Sequence, residues 1–498
     1  MSIRKVLLYI LFFELLSLVI YFYPAINNFV FLIIILGIIA LSLKKIEYGL
    51  YLIVAELLIS SKGYLFFFEY EGLKTSIRIS LWLIVMSIWL AKTLLEYFKT
   101  KKNNITFLKS KFFYYFFTLF LFIAWGLING LLQKNELSNT FFDFNGWLYF
   151  LLIFPAYDLI KEKTSIKNIT NIFIACMSWL VFETLFLLYF FSHNFYFLSN
   201  EVYRWIRTTG VGEITQMSGG FSRIFFQSHL FILLAIFIFI LALVKFLKTT
   251  NGKSAFSNKQ FISLFITGCL LFSTIIITLS RSFWVGLATG IAVLLVLLLI
   301  KNKISIFNLI SLVSLVCLSV LTSGIIIIGI IKLPWPTPIT EISATSAITQ
   351  RMTQITGEAG ASSRWLLLPE LWKGIKTSPI IGQGFGKTIT YTSQDPRVLE
   401  SSMSGEYTTY AFEWGWLDTW LKLGIFGLIA YLVLLTKIIF YSFKKTSNSI
   451  GLIVVVSLMC LLALNMFSPY TNHPLGIGLI IFLAILVENS SYQQKALA

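Results

Sequence analysis

Residues 276–287 read IITLSRSFWVGL and place Arg281 in the middle of an apolar stretch. Residues 261–300 contain no other charged side chain, and as one helix these 40 residues would be about 60 Å long. The hydrocarbon core of a bilayer is about 30 Å thick, so we predict two membrane spans that meet near Ser280. Arg281 would then lie at a membrane surface, where its charge indicates either a functional site or an arginine that reaches the lipid headgroups.

The composition extends this interpretation to the whole chain. Of the 498 residues, 57% are hydrophobic and only 12% are charged, which is too apolar for a water-soluble protein of this length. The first 23 residues combine a basic start with an apolar run, but no small-residue cleavage pattern follows. We therefore predict a first membrane span there and not a removed signal peptide.

We predict an all-α, polytopic integral membrane protein with about 14 transmembrane helices, within a range of about 12 to 14. The spans are placed near residues 4–23, 25–43, 46–66, 77–98, 112–132, 145–160, 169–192, 222–247, 261–280, 282–301, 306–332, 413–442, 449–467 and 473–488. Glu56 and Lys62 interrupt the third of these. The predicted domains are the N-terminal transmembrane helices with an outer loop (1–221, loop 192–221), the core transmembrane helices with the Ser-Arg-Ser-Phe-Trp motif (222–332), a large extracytoplasmic loop with short amphipathic helices (333–412) and the C-terminal transmembrane helices (413–498).

Charges in the connections predict the orientation. Alternate connections are rich in lysine, and the positive-inside rule places these connections and both termini in the cytoplasm. Of 30 lysines, 22 fall on that side, whereas eight of nine arginines fall on the outer side or at its boundary. Arginine is suited to bidentate recognition of phosphate, so the outer arginines indicate an anion site, with pairing to local carboxylates as the alternative. The net charge of +17 is thus assigned to topology and not to nucleic-acid binding.

Metal and thiol chemistry is not indicated. The four cysteines all fall inside apolar runs, so we predict neither a disulfide framework nor a thiolate metal site. His193, His229 and His473 lack metal-ligand spacing with one another or with other ligand residues, and we predict no metal and no cofactor. His229 is interpreted as a hydrogen-bonded core residue, and His473 as a candidate proton acceptor at an outer boundary.

The large outer loop contains an apolar helical pattern followed by glycines. Residues 364–375 carry Trp365, Leu371 and Trp372 at helical spacing, which predicts an amphipathic helix on the outer membrane surface or over a cavity. Ser378 and Pro379 would end it. The sequence GQGFGKT that follows at 382–388 lacks the first glycine of a phosphate-binding loop and has no preceding strand, so we predict a tight turn.

The loop re-enters the membrane at residues 411–428, AFEWGWLDTWLKLGIFGL. Helical spacing would place Glu413 on one face with Trp416 and Trp420. Aromatic rings stack on sugars, and a partly desolvated carboxylate is a good proton acceptor, so these residues indicate a sugar-binding, proton-accepting corner. An interfacial aromatic belt with a headgroup-facing glutamate is the alternative.

The ordered set of these motifs resembles the O-antigen ligase and polymerase superfamily of membrane glycosyltransferases. The set consists of GGFSRIFFQSHLF at 219–231, TLSRSFWVGL at 278–287, the loop with Arg364-Trp365, the SPIIGQGFG turn at 378–386 and the G-x-x-G-L sequence at 424–428. The resemblance covers roughly residues 219–428, and the first part of the chain is supported only by its many predicted spans.

The resemblance implies an inverting glycosyltransferase that needs neither metal nor nucleotide. The glycan would pass from a polyprenyl diphosphate donor to a sugar hydroxyl of a glycan or lipid-linked acceptor at the outer face of a bacterial cytoplasmic (inner) membrane. The matching arginines, which would hold the diphosphate, are Arg223, Arg281 and Arg364. Ligases of the superfamily carry histidine where this chain has Glu413, which favours a polymerase over a ligase, with a ligase variant whose base is a carboxylate as the alternative.

The site predicted from residues and resemblance together has a catalytic and a binding part. Glu413, Arg281 and Arg364 are the catalytic candidates. The substrate-binding candidates are Arg223, Arg204, Arg207, Trp365, Trp416, Trp420 and His473. Besides donor and acceptor, we expect membrane lipids as partners, with a chain-length regulator as a further candidate and no nucleic acid.

Two other classes of protein remain alternatives. A flippase or other transporter of lipid-linked glycans would carry charged residues deep in the membrane, as Glu14 and Glu183 would be. A non-catalytic assembly scaffold would leave donor and acceptor unchanged.

Overall fold

The computed structural model describes residues 1–102, 105–160, 163–195, 197–250, 259–301, 304–339, 342–343, 346–347, 349, 359–394, 396–402, 404–445 and 449–495. These residues form an all-α polytopic membrane fold, which confirms the predicted class. Three short β-hairpins are the sheet structure of the described part.

Ten described helices are long and apolar enough to cross a membrane. They are Ile3–Phe22, Asn27–Lys44, Ile77–Thr100, Phe113–Leu132, Lys163–Phe191, Leu230–Thr250, Lys259–Ile277, Arg281–Ile300, Ile306–Ile331 and Gly415–Phe443. The helices Ser449–Leu464 and Pro474–Lys495 carry shorter apolar segments. Counted together, these described helices number twelve, the lower limit of the predicted range.

The predicted span at 46–66 is shorter in the structure. The helix Ile46–Ile59 has 14 residues and would be about 21 Å long, less than a bilayer core of about 30 Å. Glu56 near its end forms a buried ion pair with Arg78, whose guanidinium also donates to the carbonyls of Ser60 and Ser61. These bonds fix the chain in a turn where the sequence predicted further helix.

The predicted span at 145–160 is also replaced by shorter elements. A 3₁₀ helix at Gly146–Leu152 is followed by the helix Ile153–Leu159. Trp147, Tyr149 and Phe150 of this segment are fully buried. Its apolar character therefore reflects protein core and not a surface that faces lipid.

The described chain also contains helices and hairpins outside these apolar spans. The additional helices are Leu137–Asn145, Phe197–Thr209, Ala359–Thr377 and Pro396–Ser401. The antiparallel hairpins pair Phe67–Tyr70 with Leu73–Ser76, Glu213–Gln216 with Ser222–Phe225 and Ile389–Thr392 with Glu406–Thr409.

The chain divides into two compact units. Unit 1 comprises Met1–Ile105, Phe154–Ser280 and Leu298–Thr349, and unit 2 comprises Thr106–Ile153, Arg281–Leu297 and Gln350–Ala498. In unit 1, the helix Lys163–Phe191 packs against several spanning helices. The two spans predicted to meet near Ser280 are confirmed, because helices end at Ile277 and begin at Arg281.

Unit 2 is organised around the helix Gly415–Phe443, here called the re-entry helix. It packs against Phe113–Leu132, Ser449–Leu464 and Ala359–Thr377. An aromatic core of Trp147, Phe150, Phe385 and Tyr431 lies inside the unit, with ring centroids 5.7 to 6.1 Å apart. Because Phe385 belongs to the glycine-containing turn, this core holds the turn inside the unit.

Candidate functional site

Arg364 and Glu413 form an ion pair in unit 2. Nε of Arg364 contacts Oε2 of Glu413, and Nη2 donates to Oε1 at 3.3 Å, so the contact is bidentate. The arginine side chain is 40% exposed and the glutamate side chain is 48% exposed. Two of the three predicted catalytic side chains are thus in direct contact and open to a ligand.

The helix that carries Arg364, Ala359–Thr377, is here called the loop helix. Its buried face is formed by Leu367, Leu371 and Ile375, which recur every fourth residue. This face packs on Phe412, which precedes the re-entry helix, and on Leu421 within that helix. The amphipathic helix predicted for 364–375 is present, but Trp365 and Trp372 are 49% and 40% exposed and do not belong to its buried face.

Tryptophans connect the loop helix to the residues around Glu413. Trp365 packs edge-on against Trp414 at 5.3 Å, and Nε1 of Trp414 donates to the carbonyl of Arg364 at 3.0 Å. Trp414 was not among the predicted site residues. Its position next to Glu413 in an aromatic, membrane-entering segment is the signal that could have identified it.

The predicted common helical face of Glu413, Trp416 and Trp420 is wrong. The re-entry helix begins at Gly415, so Glu413 precedes it and does not follow its periodicity. Nε1 of Trp416 donates to the carbonyl of Leu462, whereas Trp420 donates to the carbonyl of Pro379. The two indoles therefore point to different parts of unit 2, and Trp365 and Trp414 flank the ion pair instead.

Residues 378–388 form the predicted tight turn, here called the glycine turn. Gly382, Gly384 and Gly386 all have φ between +75° and +78°. A Cβ atom on Gly384 would lie 2.0 Å from the backbone nitrogen of Gly130. The glycines are thus required both by backbone conformation and by close approach to the helix Phe113–Leu132.

The re-entry helix is broken at Gly424, and the glycine turn forms hydrogen bonds to the backbone groups at this break. At Gly424, φ is +72° and the helical hydrogen bonding is interrupted. The freed carbonyls of Leu421 and Lys422 accept hydrogen bonds from Gln383 and Gly384 at 2.7 and 3.1 Å. The amide of Ile425 donates to Pro379 at 3.0 Å. Broken helices are tolerated in membranes where protein groups satisfy the backbone in this way.

Side chains of residues 125–135, in and just after the helix Phe113–Leu132, also bind the glycine turn. Asn129 donates to the carbonyl of Gly382 at 2.9 Å, and Asn135 donates to Phe385 at 2.8 Å. Trp125 donates to Ile381 at 2.9 Å. The loop helix, which runs directly into this turn, is thereby tied to spanning helices at its C-terminal end.

A buried ion cluster of Asp143, Asp418 and Lys422 lies beside the glycine turn. The Lys422 ammonium is 2.6 Å from Asp143 and 2.5 Å from Asp418, and all three side chains are less than a tenth exposed. Asp143 also accepts from the Gly386 amide at 2.9 Å, and Asn472 donates to Asp418. Burial raises the pKa of the Asp143 carboxyl above its ordinary value, and the adjacent ammonium acts in the opposite direction.

This cluster was not predicted as part of the site. The spacing of Asp418 and Lys422, four residues apart in an apolar span, is a signal for an ion pair. Asp143 is distant in sequence, so its contribution could not be found from spacing. The cluster joins the helix Leu137–Asn145, the glycine turn and the re-entry helix.

Arg281 is the first residue of the helix Arg281–Ile300. The next residues of this helix contact a connecting segment of unit 2, because Ser468 donates to Ser282 at 3.1 Å and Tyr470 lies 5.8 Å from Phe283 between ring centroids. Phe467 of the same segment lies 5.8 Å from Trp414. Residues 467–470 thus contact both the start of the Arg281 helix and the residue next to Glu413.

His473 lies at the start of the helix Pro474–Lys495. Its Nδ1 accepts a hydrogen bond from the Leu475 amide at 3.3 Å, which gives it a helix-capping role. These contacts do not test the predicted role of His473 in substrate binding, which stays a prediction. In the part of the chain that the structure describes, no group of three or more His, Cys, Asp or Glu side chains could hold a metal ion.

The other predicted arginines belong to unit 1. Nε of Arg223 donates to the carbonyl of Thr278 at 2.7 Å, and its guanidinium lies 4.8 Å from the Phe225 ring centroid. Arg204 is exposed and lies 3.6 Å from Glu201, and Arg207 is exposed on the same helix. Their predicted contacts with substrate stay predictions. Arg351 and the side chain of Arg397 lie outside the described residues.

The apolar helices indicate an integral membrane protein. The exposed Arg364–Glu413 ion pair lies in a segment that matches a known family. Residues 266–432 match the model of a family described as O-antigen ligase. This match confirms the resemblance to the O-antigen ligase and polymerase superfamily and indicates a membrane enzyme of glycosyltransferase type. It includes Arg281, Arg364 and Glu413 but neither Arg223 nor His473. A comparison with curated protein sequences gave no significant match.

Proposed function

We propose that the protein transfers a glycan from a polyprenyl diphosphate donor to a sugar hydroxyl at the outer face of the cytoplasmic membrane, with inversion at the anomeric carbon. The observation that supports this most is the half-exposed, bidentate contact of Arg364 with Glu413 inside the segment that matches the O-antigen ligase family. A cation for a leaving diphosphate and a carboxylate for an acceptor proton are the two groups that this reaction requires.

In the proposed reaction, the acceptor oxygen forms a bond to the anomeric carbon while the bond from that carbon to the diphosphate oxygen breaks. The electron pair leaves with the diphosphate, and the acceptor proton goes to Glu413. Arg281 and Arg364 stabilise the charge that develops on the leaving group; one such donor contributes roughly 2.7 to 4 kcal/mol in enzymes where this was measured. A positioned base contributes about 10²- to 10⁴-fold.

The ion pair explains how one arginine serves both parts of the reaction. A guanidinium has a planar fork of donors and can bind a carboxylate and a phosphate together. Trp414 holds the backbone of Arg364 and the loop helix is anchored by the glycine turn, so the base and the cation are positioned as one unit.

A polymerase is favoured over a ligase. The support is the carboxylate at position 413, where the ligases that the chain resembles carry histidine. The acceptor would then be a growing chain of the same glycan.

Product analysis tests the proposal. The purified protein, reconstituted in vesicles, is incubated with lipid-linked glycans extracted from the membranes of its own host, and the products are separated by length. We expect a ladder of lengths. A single transfer product would show a ligase, and unchanged donor would contradict the proposal.

A matched control exists on the loop helix itself. Lys373 and Glu370 form a second ion pair on the surface of this helix, at 2.7 Å. A variant with Lys373→Met and Glu370→Gln should produce the same ladder as the native protein, whereas Arg364→Ala with Glu413→Gln should produce none.

Transport of a lipid-linked glycan is the second candidate function, and two buried carboxyls favour it. Glu14 accepts a hydrogen bond from Trp179 at 2.6 Å, and both carboxyl oxygens of Glu183 are buried without a hydrogen-bond partner among the described residues. Intramembrane carboxyls often mark transport pathways. Movement of a fluorescent lipid-linked glycan across vesicles that is lost in Glu183→Gln, with no transfer product, would support transport instead.

A further inference from the structure

A shallow groove of about 390 Å³ runs along one side of the re-entry helix. Residues of one helical face line it, together with Tyr115 of the helix Phe113–Leu132. The lining residues are Tyr115, Ile429, Leu432, Val433, Thr436, Lys437 and Phe440. Both helices belong to unit 2. The lining is mostly apolar, and its polar residues Thr436 and Lys437 lie towards the Phe440 end.

The apolar lining of the groove is exposed and not packed. Ile429 and Val433 are each 45% exposed, and Phe440 is 54% exposed. They recur along the helix at spacings of four and seven residues, so they form one stripe. Within a membrane such a stripe faces hydrocarbon, and the groove gives an acyl chain a defined place to lie.

Two ammonium groups lie at the end of this groove. The Lys437 ammonium is 5.1 Å from the ring centroid of Tyr115, and the Lys444 ammonium is 4.6 Å from that of Phe440. No carboxylate forms an ion pair with either lysine in the part of the chain that the structure describes. Their aromatic contacts stabilise the cations but supply no negative charge.

Two further lysines extend the positive surface. The ammonium groups of Lys111 and Lys445 both lie close to the Tyr441 hydroxyl, at 3.1 and 3.2 Å. The carboxylate of Glu488 is nearby, and it accepts from the Ser110 hydroxyl and the Lys111 amide. Lys111 and Lys445 thus add positive charge at the same end of the re-entry helix as Lys437 and Lys444.

We propose that this groove binds an anionic membrane phospholipid, with its phosphate between Lys437 and Lys444 and one acyl chain along Val433 and Ile429. Basic clusters beside apolar helix grooves are the chemistry that recognises anionic headgroups. The site is separate from the Arg364–Glu413 pair, because Lys437 follows Gly415 by 22 residues, on the order of 30 Å along the helix. The inference does not depend on the proposed function.

Native mass spectrometry of the full-length protein in a neutral detergent tests this site. Phosphatidylglycerol and phosphatidylcholine with identical acyl chains are added separately, and the fraction of protein with one bound lipid is measured. We expect tighter binding of phosphatidylglycerol. Lys437→Gln with Lys444→Gln should weaken that binding about 30-fold, since each lysine near a lipid surface contributes roughly one kcal/mol.

Three variants distinguish the contributions of the headgroup contact, the apolar groove and the overall charge of the protein to lipid binding. Lys437→Arg with Lys444→Arg should keep the preference, because the positive charge remains. Val433→Trp should fill the exposed groove and reduce binding with both lysines intact. Lys99→Gln, at the exposed end of the helix Ile77–Thr100, removes a lysine elsewhere and should leave binding unchanged.

Four results would overturn the proposal. These are equal binding of the two phospholipids, an effect of Lys99→Gln as large as that of the double variant, saturable binding of polyprenyl phosphate but not of phosphatidylglycerol, and a dimer that Val433→Trp dissociates. The last would assign the groove to a second copy of the chain.

Discussion

At the scale of single residues, two Arg–Glu pairs with the same chemistry differ in what they can do. Arg78 and Glu56 are 5% and 10% exposed, and the guanidinium is further bonded to backbone carbonyls. Arg364 and Glu413 are close to half exposed. Of the two interpretations offered for the outer arginines, an anion site or pairing with a local carboxylate, the second is correct for Arg78. Only the exposed pair can exchange its partner for a ligand without uncovering a buried charge.

Replacing Arg364 by lysine tests whether the fork of the guanidinium is required. Lysine keeps the charge but is a point donor, so it cannot hold a carboxylate and a phosphate in one plane. We expect Arg364→Lys to lower glycan transfer about tenfold or more, since the loss of one charged hydrogen bond is roughly 1.5 to 3 kcal/mol. Initial rates in reconstituted vesicles measure this, with Lys373→Arg as the control. Equal rates for the native protein and Arg364→Lys would contradict the role of the fork.

The buried ion cluster makes a separate prediction about stability. Lys422→Met leaves Asp143 and Asp418 as two buried carboxylates without their cation, which costs about 3 to 5 kcal/mol for a broken buried pair. We expect a clear fall in Tm, measured by thermal unfolding in detergent.

Neutralising the partners should reverse part of this loss. A variant with Lys422→Met, Asp143→Asn and Asp418→Asn should be more stable than Lys422→Met alone, because no unpaired charge is then buried. The exposed Lys373→Met, which breaks a surface pair of about 0 to 1 kcal/mol, is the control. A triple variant that is less stable than Lys422→Met would show that the cluster acts through packing and not through charge.

At the scale of elements, the glycine turn and the broken re-entry helix depend on each other. The backbone groups freed at Gly424 bond to the turn, and a Cβ on Gly424 would lie 2.1 Å from the carbonyl oxygen of Ile380. Neither element is complete alone. Since the loop helix leads into this turn, the geometry of Arg364 depends on the same contacts.

A comparison of two glycines with similar backbone conformation distinguishes the cost of backbone strain from the cost of a steric clash. Gly384 and Gly72 have φ of +75° and +81°, but a Cβ on Gly72 would meet nothing within 4 Å. Gly72→Ala should cost only the conformational strain, about 1 to 2 kcal/mol. Gly384→Ala should be far more destabilising, because its Cβ overlaps the backbone of Gly130. Thermal unfolding of both variants measures the difference, and similar losses would contradict the tight packing of the turn.

Sequence periodicity predicted the loop helix and the tight turn but not how they pack. The helix was assigned a tryptophan-containing face, whereas its buried face is Leu367, Leu371 and Ile375. Both sets fit a period of 3.6 residues, and only the partner surface decides between them. The break at Gly424 could not be predicted, because an isolated glycine in an apolar span fits an unbroken helix equally well.

At the scale of the whole molecule, composition was enough to predict a polytopic helical membrane protein. The length of an apolar run predicted the individual spans less well. The segments near Glu56 and Trp147 are apolar because they pack inside the protein, not because they cross the membrane. Long-range partners such as Asp143 for Lys422 are also invisible without a fold. The orientation in the membrane stays a prediction from the distribution of lysines.

Cysteine labelling tests that orientation. In a variant whose four cysteines are replaced by alanine, single cysteines are placed at the exposed positions Lys373 and Lys444. An impermeant maleimide added to intact cells should label position 373, on the predicted outer side, and should label position 444 only after the membrane is permeabilised. The opposite pattern would invert the topology and place the Arg364–Glu413 pair in the cytoplasm.

The rate of donor consumption tests the central claim most directly. The native protein, Arg281→Ala, Arg364→Ala, Glu413→Gln and the control Lys373→Met are reconstituted at equal amounts with polyprenyl-diphosphate-linked glycan from the host. Consumption should fall about 100-fold or more in each of the three site variants, as expected for loss of a charge-stabilising donor or a base, and should not change in the control. Undiminished consumption by Arg364→Ala and Glu413→Gln would contradict the assignment of this ion pair to glycosyl transfer.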